Sequence, residues 1–189
     1  AIEPPATAST NLKASDVVSV SGDVDTSAAT NLPIEKRVDI YRAYLARFPN
    51  DPVIRNNLGV ALFKNGSKDE ARAEFERAVS LATQDGRARY NLGTALIHAG
   101  EYTRAVAQLQ AAIRLKEKTA ESMNNLGVAL LYAGENEKAA ASFAGAATTA
   151  SSSKRHEMRG VSFLRAGNAT SALAAFEDAI REGAGNDAQ

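Results

Sequence analysis

The chain has 189 residues, in which 22 Lys and Arg balance 22 Asp and Glu, so no net field draws nucleic acid or anionic lipid. It contains no cysteine, which excludes disulfides, thiolate metal sites and a cysteine nucleophile. No apolar run approaches the ~20 residues that span a bilayer.

The first residue is Ala, not Met, which reads as a processed or trimmed chain. A signal peptide or lipidated cysteine just upstream is one expectation and a trimmed boundary is the other. Residues 1–33 form a leader rich in Ala, Ser and Thr without helical period, and all five prolines fall before residue 53. Such composition is expected to stay flexible. One stretch, DVVSVSGDV at Asp16–Val24, has β-branched, strand-like character. It reads either as part of a tail or as a segment that docks on the folded part, in the protein's own groove.

Helical amphipathicity begins at Ile34. The heptapeptide NNLGVAL at Asn56–Leu62 returns unchanged at Asn124–Leu130, with YNLGTAL at Tyr90–Leu96 between them. Starts at 56, 90 and 124 set a period of 34, and periods of this size mean stacked supersecondary units. The units are 52–85, 86–119, 120–152 (one residue short) and 153–186, leaving a tail at 187–189. Residues 34–51, with Tyr41, Tyr44 and Pro49, form an N-terminal helix that fits the second half of a preceding unit. Position 7 of the units holds Leu58, Leu92 and Leu126; position 8 holds Gly59, Gly93, Gly127 and Gly160. Position 15 is always Gly (66, 100, 134, 167), position 20 always Ala, and position 24 is Phe75, Leu109, Phe143 and Phe176.

Each unit therefore reads as two helices, A and B. Glycine at position 15 ends helix A, where a left-handed residue costs Gly least. Small residues at 8 and 20 let A and B approach, and the large residue at 24 fills the space. Asp51 with Pro52 is a helix start, and Ser67 with Glu70 has capping-box spacing. A single pair cannot bury its apolar face, so neighbours must stack.

This pattern resembles the tetratricopeptide repeat (TPR) family from Pro52 to about Asn186. The resemblance implies an all-α, right-handed solenoid of antiparallel helix pairs with helix A inside. The fourth unit departs from it: Arg159 stands where Leu is expected and Met158 where Asn is. A guanidinium is not buried unpaired at low cost, so this end of the array is expected to be frayed or solvated. No polar capping helix follows, so the last helix is expected to offer an outer face for contact.

Nothing in the chain reads as an active site, and neither enzyme activity nor a cofactor or metal is expected. His98 and His156 lack a ligand partner at i+3 or i+4, and His156, in the run KRHE, reads as a solvated helix start. No phosphate-binding glycine loop is present. Acidic pairs such as Asp69–Glu70 read as outward faces.

The resemblance implies that ligands lie along helix A, at positions 2, 5, 6, 9, 12 and 13. At position 6 stand Asn57, Asn91 and Asn125; at position 5, Asn56, Tyr90 and Asn124. A column of amides offers donors and acceptors, either to the backbone of an extended peptide or to neighbouring helices that it holds in the stack. Positions 9 and 12 give Val60, Phe63, Thr94, Ile97, Val128, Leu131, Val161 and Leu164; position 13 gives Lys64, His98, Tyr132 and Arg165. Chaperone-cofactor TPR domains clamp a carboxylate with Lys and Arg at positions 2, 5 and 6 and Asn at 6 and 9. Here Glu121, Asn56, Asn125 and Val60 stand in those places, so that clamp is absent.

The expected function is a non-catalytic scaffold that binds a protein partner, as an extended or amphipathic helical segment, in the concave groove. In layout the chain resembles bacterial envelope TPR lipoproteins that assist pilus or secretin assembly. That implies a periplasmic or outer-membrane-anchored protein, with a cytoplasmic one as the alternative. Nucleic acid and direct membrane insertion are not expected. The competing reading is a self-assembling structural protein, a homo-oligomer formed through the leader or the uncapped last helix.

Overall fold

The computed structural model describes residues 32–149 and 153–186. Among the described residues there are nine helices and no strand: α1 (Ile34–Arg47), α2 (Pro52–Lys64), α3 (Lys68–Leu81), α4 (Gly86–His98), α5 (Tyr102–Arg114), α6 (Ala120–Tyr132), α7 (Asn136–Thr149), α8 (Ser153–Arg165) and α9 (Ala169–Asn186). None of them is long and apolar enough to cross a membrane. The strand-like Asp16–Val24 lies outside the described residues. The A helices α2, α4, α6 and α8 are each 13 residues long, and each begins at the first residue of a 34-residue unit.

Local chemistry sets the ends of these helices. Gly66, Gly100, Gly134 and Gly167 have φ of +88°, +76°, +84° and +78°, the left-handed geometry that a side chain resists. Their turns close alike: the next residue's N–H returns to the helix, as in Ser67 to Leu62 O (3.0 Å) and Asn168 to Phe163 O (2.8 Å). Asp51 Oδ1 accepts from Val53 and Ile54 N–H at 2.9 and 3.0 Å, and Asp85 repeats this for α4. Thr119 and Ser122 form a reciprocal capping box on α6. The box expected at Ser67 is not made. Ser67 has ψ of 63° and its hydroxyl caps nothing, while Glu70 instead reaches Arg42 on α1 at 2.7 Å.

Within a pair, the position 24 side chain lies on the position 8 glycine. A Cβ at Gly59, Gly127 or Gly160 would sit 2.6–2.8 Å from the ring of Phe75, Phe143 or Phe176, and Leu109 covers Gly93 in the same way. The core runs unbroken from Val38, Tyr41 and Leu45 of α1 to Phe143 of α7. Helix α1 packs on α2 as the later B helices pack on the A helix that follows them. Each A helix also touches the next A helix, whereas long ion pairs tie successive B helices, as in Arg42–Glu70 and Arg104–Glu76 (2.9 Å). The A helices therefore line the inner, concave side.

The polar links between the helices depart most from the sequence reading. Position 4 carries a clamp in the first two units. Arg55 donates to Pro49 O through Nε and Nη2 (2.8 and 2.5 Å) and to Glu74 through Nη1 (2.6 Å). Arg89 does the same with Thr83 O and Gln108. Each clamp ties the loop before an A helix to its own B helix. The fourth unit is neither frayed nor solvated at Arg159. That guanidinium is 18% exposed and donates to Asp178 of α9 at 2.7 Å, so a charge in a leucine site is matched by one on the facing helix. His156 is likewise buried rather than solvated. Its Nε2 lies 3.4 Å from Glu182 and its Nδ1 3.9 Å from Asp178.

Candidate functional site

The A helices carry the residues expected in the groove, and these fall into three groups. The first is tied into the stack. Asn56 is buried, and its Oδ1 accepts from Asn91 Nδ2 at 2.8 Å. Asn125 Nδ2 donates to Thr94 Oγ1 (3.1 Å) and to the Tyr90 hydroxyl (3.3 Å), and Thr94 itself donates to Tyr90 O. Position 6 of one unit thus bonds to positions 5 and 9 of the unit before, as the stacking alternative requires. Asn57 and Asn124, both half-buried, make no hydrogen bond to the described residues.

The second group forms an apolar strip. Val60, Phe63, Ile97, Val128 and Val161 are half-buried and rest on the core. Leu164 is 53% exposed, whereas Leu131 is 3% exposed and offers almost no surface. Leu131 belongs to the buried core, unlike its counterparts Phe63, Ile97 and Leu164.

The third group stands at the C-terminal ends of the A helices and includes partners that the sequence reading missed. Tyr132, 56% exposed, stacks on Tyr102 with centroids 5.0 Å apart and planes 20° apart. His98 sits edge-on to Phe63 at 5.0 Å, with Lys68 Nζ 3.4 Å from its Nδ1. Lys68 also lies 5.9 Å from the centre of the Phe63 ring. Partial burial, and then the Lys68 charge, lower the His98 pKa below its usual value. Arg165 receives Asn136 Nδ2 on its carbonyl at 3.2 Å. One rule covers all three: position 17 of a unit meets position 13 of the next, about 30 residues on. That spacing is legible in the sequence once a groove rim is sought at the turns.

The rim is cationic. Lys64, Lys68 and Arg165 are exposed and form no ion pair with any described residue. Of the acidic groups nearby, Glu101 is engaged by Arg72 and Arg104 and Glu135 by Lys138, while Asp69 and Glu137 are exposed at the starts of α3 and α7. The hydrogen bond from Arg104 is the main reason that the Glu101 pKa falls. No group of three or more His, Asp or Glu among the described residues is arranged to hold a metal ion.

The profile of the tetratricopeptide repeat family matches residues 38–88, 58–118 and 90–154. The chain belongs to the TPR family. These TPR matches stop where the fourth unit begins to depart, although solved folds extend further. A crystal structure of MamA is 21% identical, with a TM-score of 0.77 over 87% of this chain and 95% of that one. MamA 41-end from Desulfovibrio magneticus RS-1 is 20% identical, with a TM-score of 0.77 over 86% of this chain and 92% of that one. YrrB, described as a TPR protein with an unusual peptide-binding site, is 23% identical, with a TM-score of 0.74 over 82% of this chain and 80% of that one. At these identities the likeness is one of TPR fold. No curated protein matches in sequence.

Proposed function

We propose that this TPR protein is a non-catalytic scaffold whose concave groove receives an apolar segment of a protein partner, extended or helical. One observation carries the reading: the half-buried strip of Val60, Phe63, Ile97, Val128 and Val161 runs across all four A helices. Such a strip supplies side-chain affinity, and the free amides of Asn57 and Asn124 supply polar anchoring. The unusual peptide-binding site ascribed to YrrB is a precedent on a similar fold. Selection of displayed peptides on the full chain is expected to return apolar sequences. Their binding is expected to be lost in a Phe63→Glu, Leu164→Glu double variant that keeps its helical circular dichroism. Retained binding would move the site off the groove.

A second reading, self-assembly, is favoured by the last helix, where Leu173 and Ile180 are 61% and 71% exposed on one face of α9. Light scattering of a Leu173→Glu, Ile180→Glu variant tests it, and an unchanged particle mass sinks it. A place in bacterial envelope assembly, of the pilus or secretion type, rests on the order of an Ala/Ser/Thr-rich leader ahead of the repeats. The gene sequence just upstream of Ala1 tests that proposal: a signal peptide with a lipidated cysteine supports it.

A further inference from the structure

The groove has a ligand-like segment in its own chain. Between Ala14 and Pro33 there is no Lys or Arg, while Asp16, Asp23 and Asp25 alternate with Val17, Val18, Val20 and Val24. This stretch is outside the described residues, and its chemistry mirrors the groove: apolar side chains for the strip, carboxylates for the unpaired Lys64, Lys68 and Arg165 of the rim. The opposite rim, where the A helices begin, is mixed: Arg87 and Lys154 stand there with Glu121 and Glu157, and Lys154 pairs with Glu157, so the surplus of cations without an ion pair lies on the side of Lys64, Lys68 and Arg165. We infer that Asp16–Asp25 occupies the groove of the same molecule as an intramolecular pseudo-ligand. The inference rests on the groove reading above.

The connection is sterically feasible. Helix α1 is joined to α2 by the short turn 48–51 and packs on it, so the two run antiparallel and Ile34 lies at the end where α2 finishes with Phe63 and Lys64. The leader thus enters beside the cationic rim. Eight residues lie between Asp25 and Ile34, which makes nine Cα–Cα steps, and extended chain reaches about 3.3–3.6 Å per step, roughly 30 Å in all. Helix neighbours stand 8–10 Å apart, so this tether crosses the ends of about three helices. The ten residues of the segment, laid out extended, span about the same distance and cover the strip from α2 towards α8. A short tether also sets an effective concentration on the order of millimolar. A weak contact is therefore filled within one molecule before a second copy competes for it. A foreign partner must then displace the segment, which makes the leader a threshold for binding.

Because the chain lacks cysteine, a Ser19→Cys variant of the full chain takes a single spin label. The label is expected to broaden the amide resonances of Val60, Thr94, Ile97 and Val128, and the broadening is expected to persist on dilution. Charge reversal at the rim, Lys64→Glu with Lys68→Glu, is expected to relieve it. Three results would overturn the inference: no broadening at the groove, broadening on the B helices instead, or broadening that appears in unlabelled ¹⁵N chains mixed with labelled ¹⁴N chains. In each of those cases the synthetic decapeptide Asp16–Asp25 is titrated into a Val17→Lys, Val20→Lys full chain. Shifts at the groove amides would then leave the groove reading standing without its intramolecular ligand, and no shift would remove both.

Discussion

The first and fourth units share one backbone plan and hold it together by different means. In the first, a leucine wedge at Leu58 is flanked by a guanidinium clamp in which Arg55 is shared between Pro49 O and Glu74. In the fourth, the wedge itself is charged. Arg159 takes the leucine site, Asp178 answers it, and His156 fills the position that Arg55 occupies in the first unit. The clamped arginine keeps a backbone carbonyl if its carboxylate is lost; among the described residues Arg159 has no comparable second acceptor. A repeat thus tolerates polar groups at its A–B interface provided that the facing helix supplies the counter-charge. The cost is dependence on a single residue.

That difference is breakable in graded steps. The largest expected effect is Phe143→Ala in the third unit, where the ring is fully buried over Gly127. A loss of about 3–5 kcal/mol is expected, and less for Phe176→Ala, whose ring is half-buried. Denaturant unfolding followed by circular dichroism measures both, and equal losses would deny that the inner and terminal units differ. Next, Asp178→Ala strands Arg159 and removes a neighbour of His156, for a loss of about 2 kcal/mol. Glu74→Ala leaves Arg55 on Pro49 O and is expected to cost roughly half as much. A reversed order would refute the single-residue dependence. Replacing the pair as a unit, Arg159→Leu with Asp178→Ala, is expected to stabilise the chain by about 1 kcal/mol, since a well-packed apolar contact often outperforms a desolvated ion pair. A loss of stability on that change would show that the charged wedge is the better solution.

The smallest effect concerns His98 at the rim. Its pKa is lowered, so at mildly acidic pH the unfolded chain binds a proton that the folded chain does not. The stability involved is present above the unfolded value of about 6.5 and is lost as pH falls through the folded value. An imidazole NMR titration of a Lys68→Met variant is expected to show this pKa move up. It should remain below the ordinary value, because burial is the larger cause. No movement would mean that Lys68 does not face the ring in solution.

The helix starts at Pro52, Gly86, Ala120 and Ser153, the left-handed glycines and the Gly–Phe contacts follow from a pattern that each unit repeats. They were legible because they involve residues close in sequence or at one constant spacing. The groove was legible in part. Of the apolar residues read at positions 9 and 12, Val60, Phe63, Ile97, Val128 and Val161 are half-buried, whereas Leu131, read with them as lining the groove, is buried. The amide column reads differently in space: Asn91 and Asn125 turn onto the preceding unit, leaving Asn57 and Asn124 available. Lys68 and Tyr102 were missed because they belong to B helices, outside the set of positions searched.

The sequence by itself determined the architecture, because backbone sterics at glycine, side-chain volume and helical period are local constraints that a 34-residue repeat states four times. Only the tertiary structure decided where the charges go. Whether His156 is solvated, whether Arg159 is paired and whether Lys68 faces His98 depend on residues 19 to 30 positions away that meet only once the helices stack. Long polar side chains reach several such neighbours, and the energy of each pairing depends on burial that the stack itself creates.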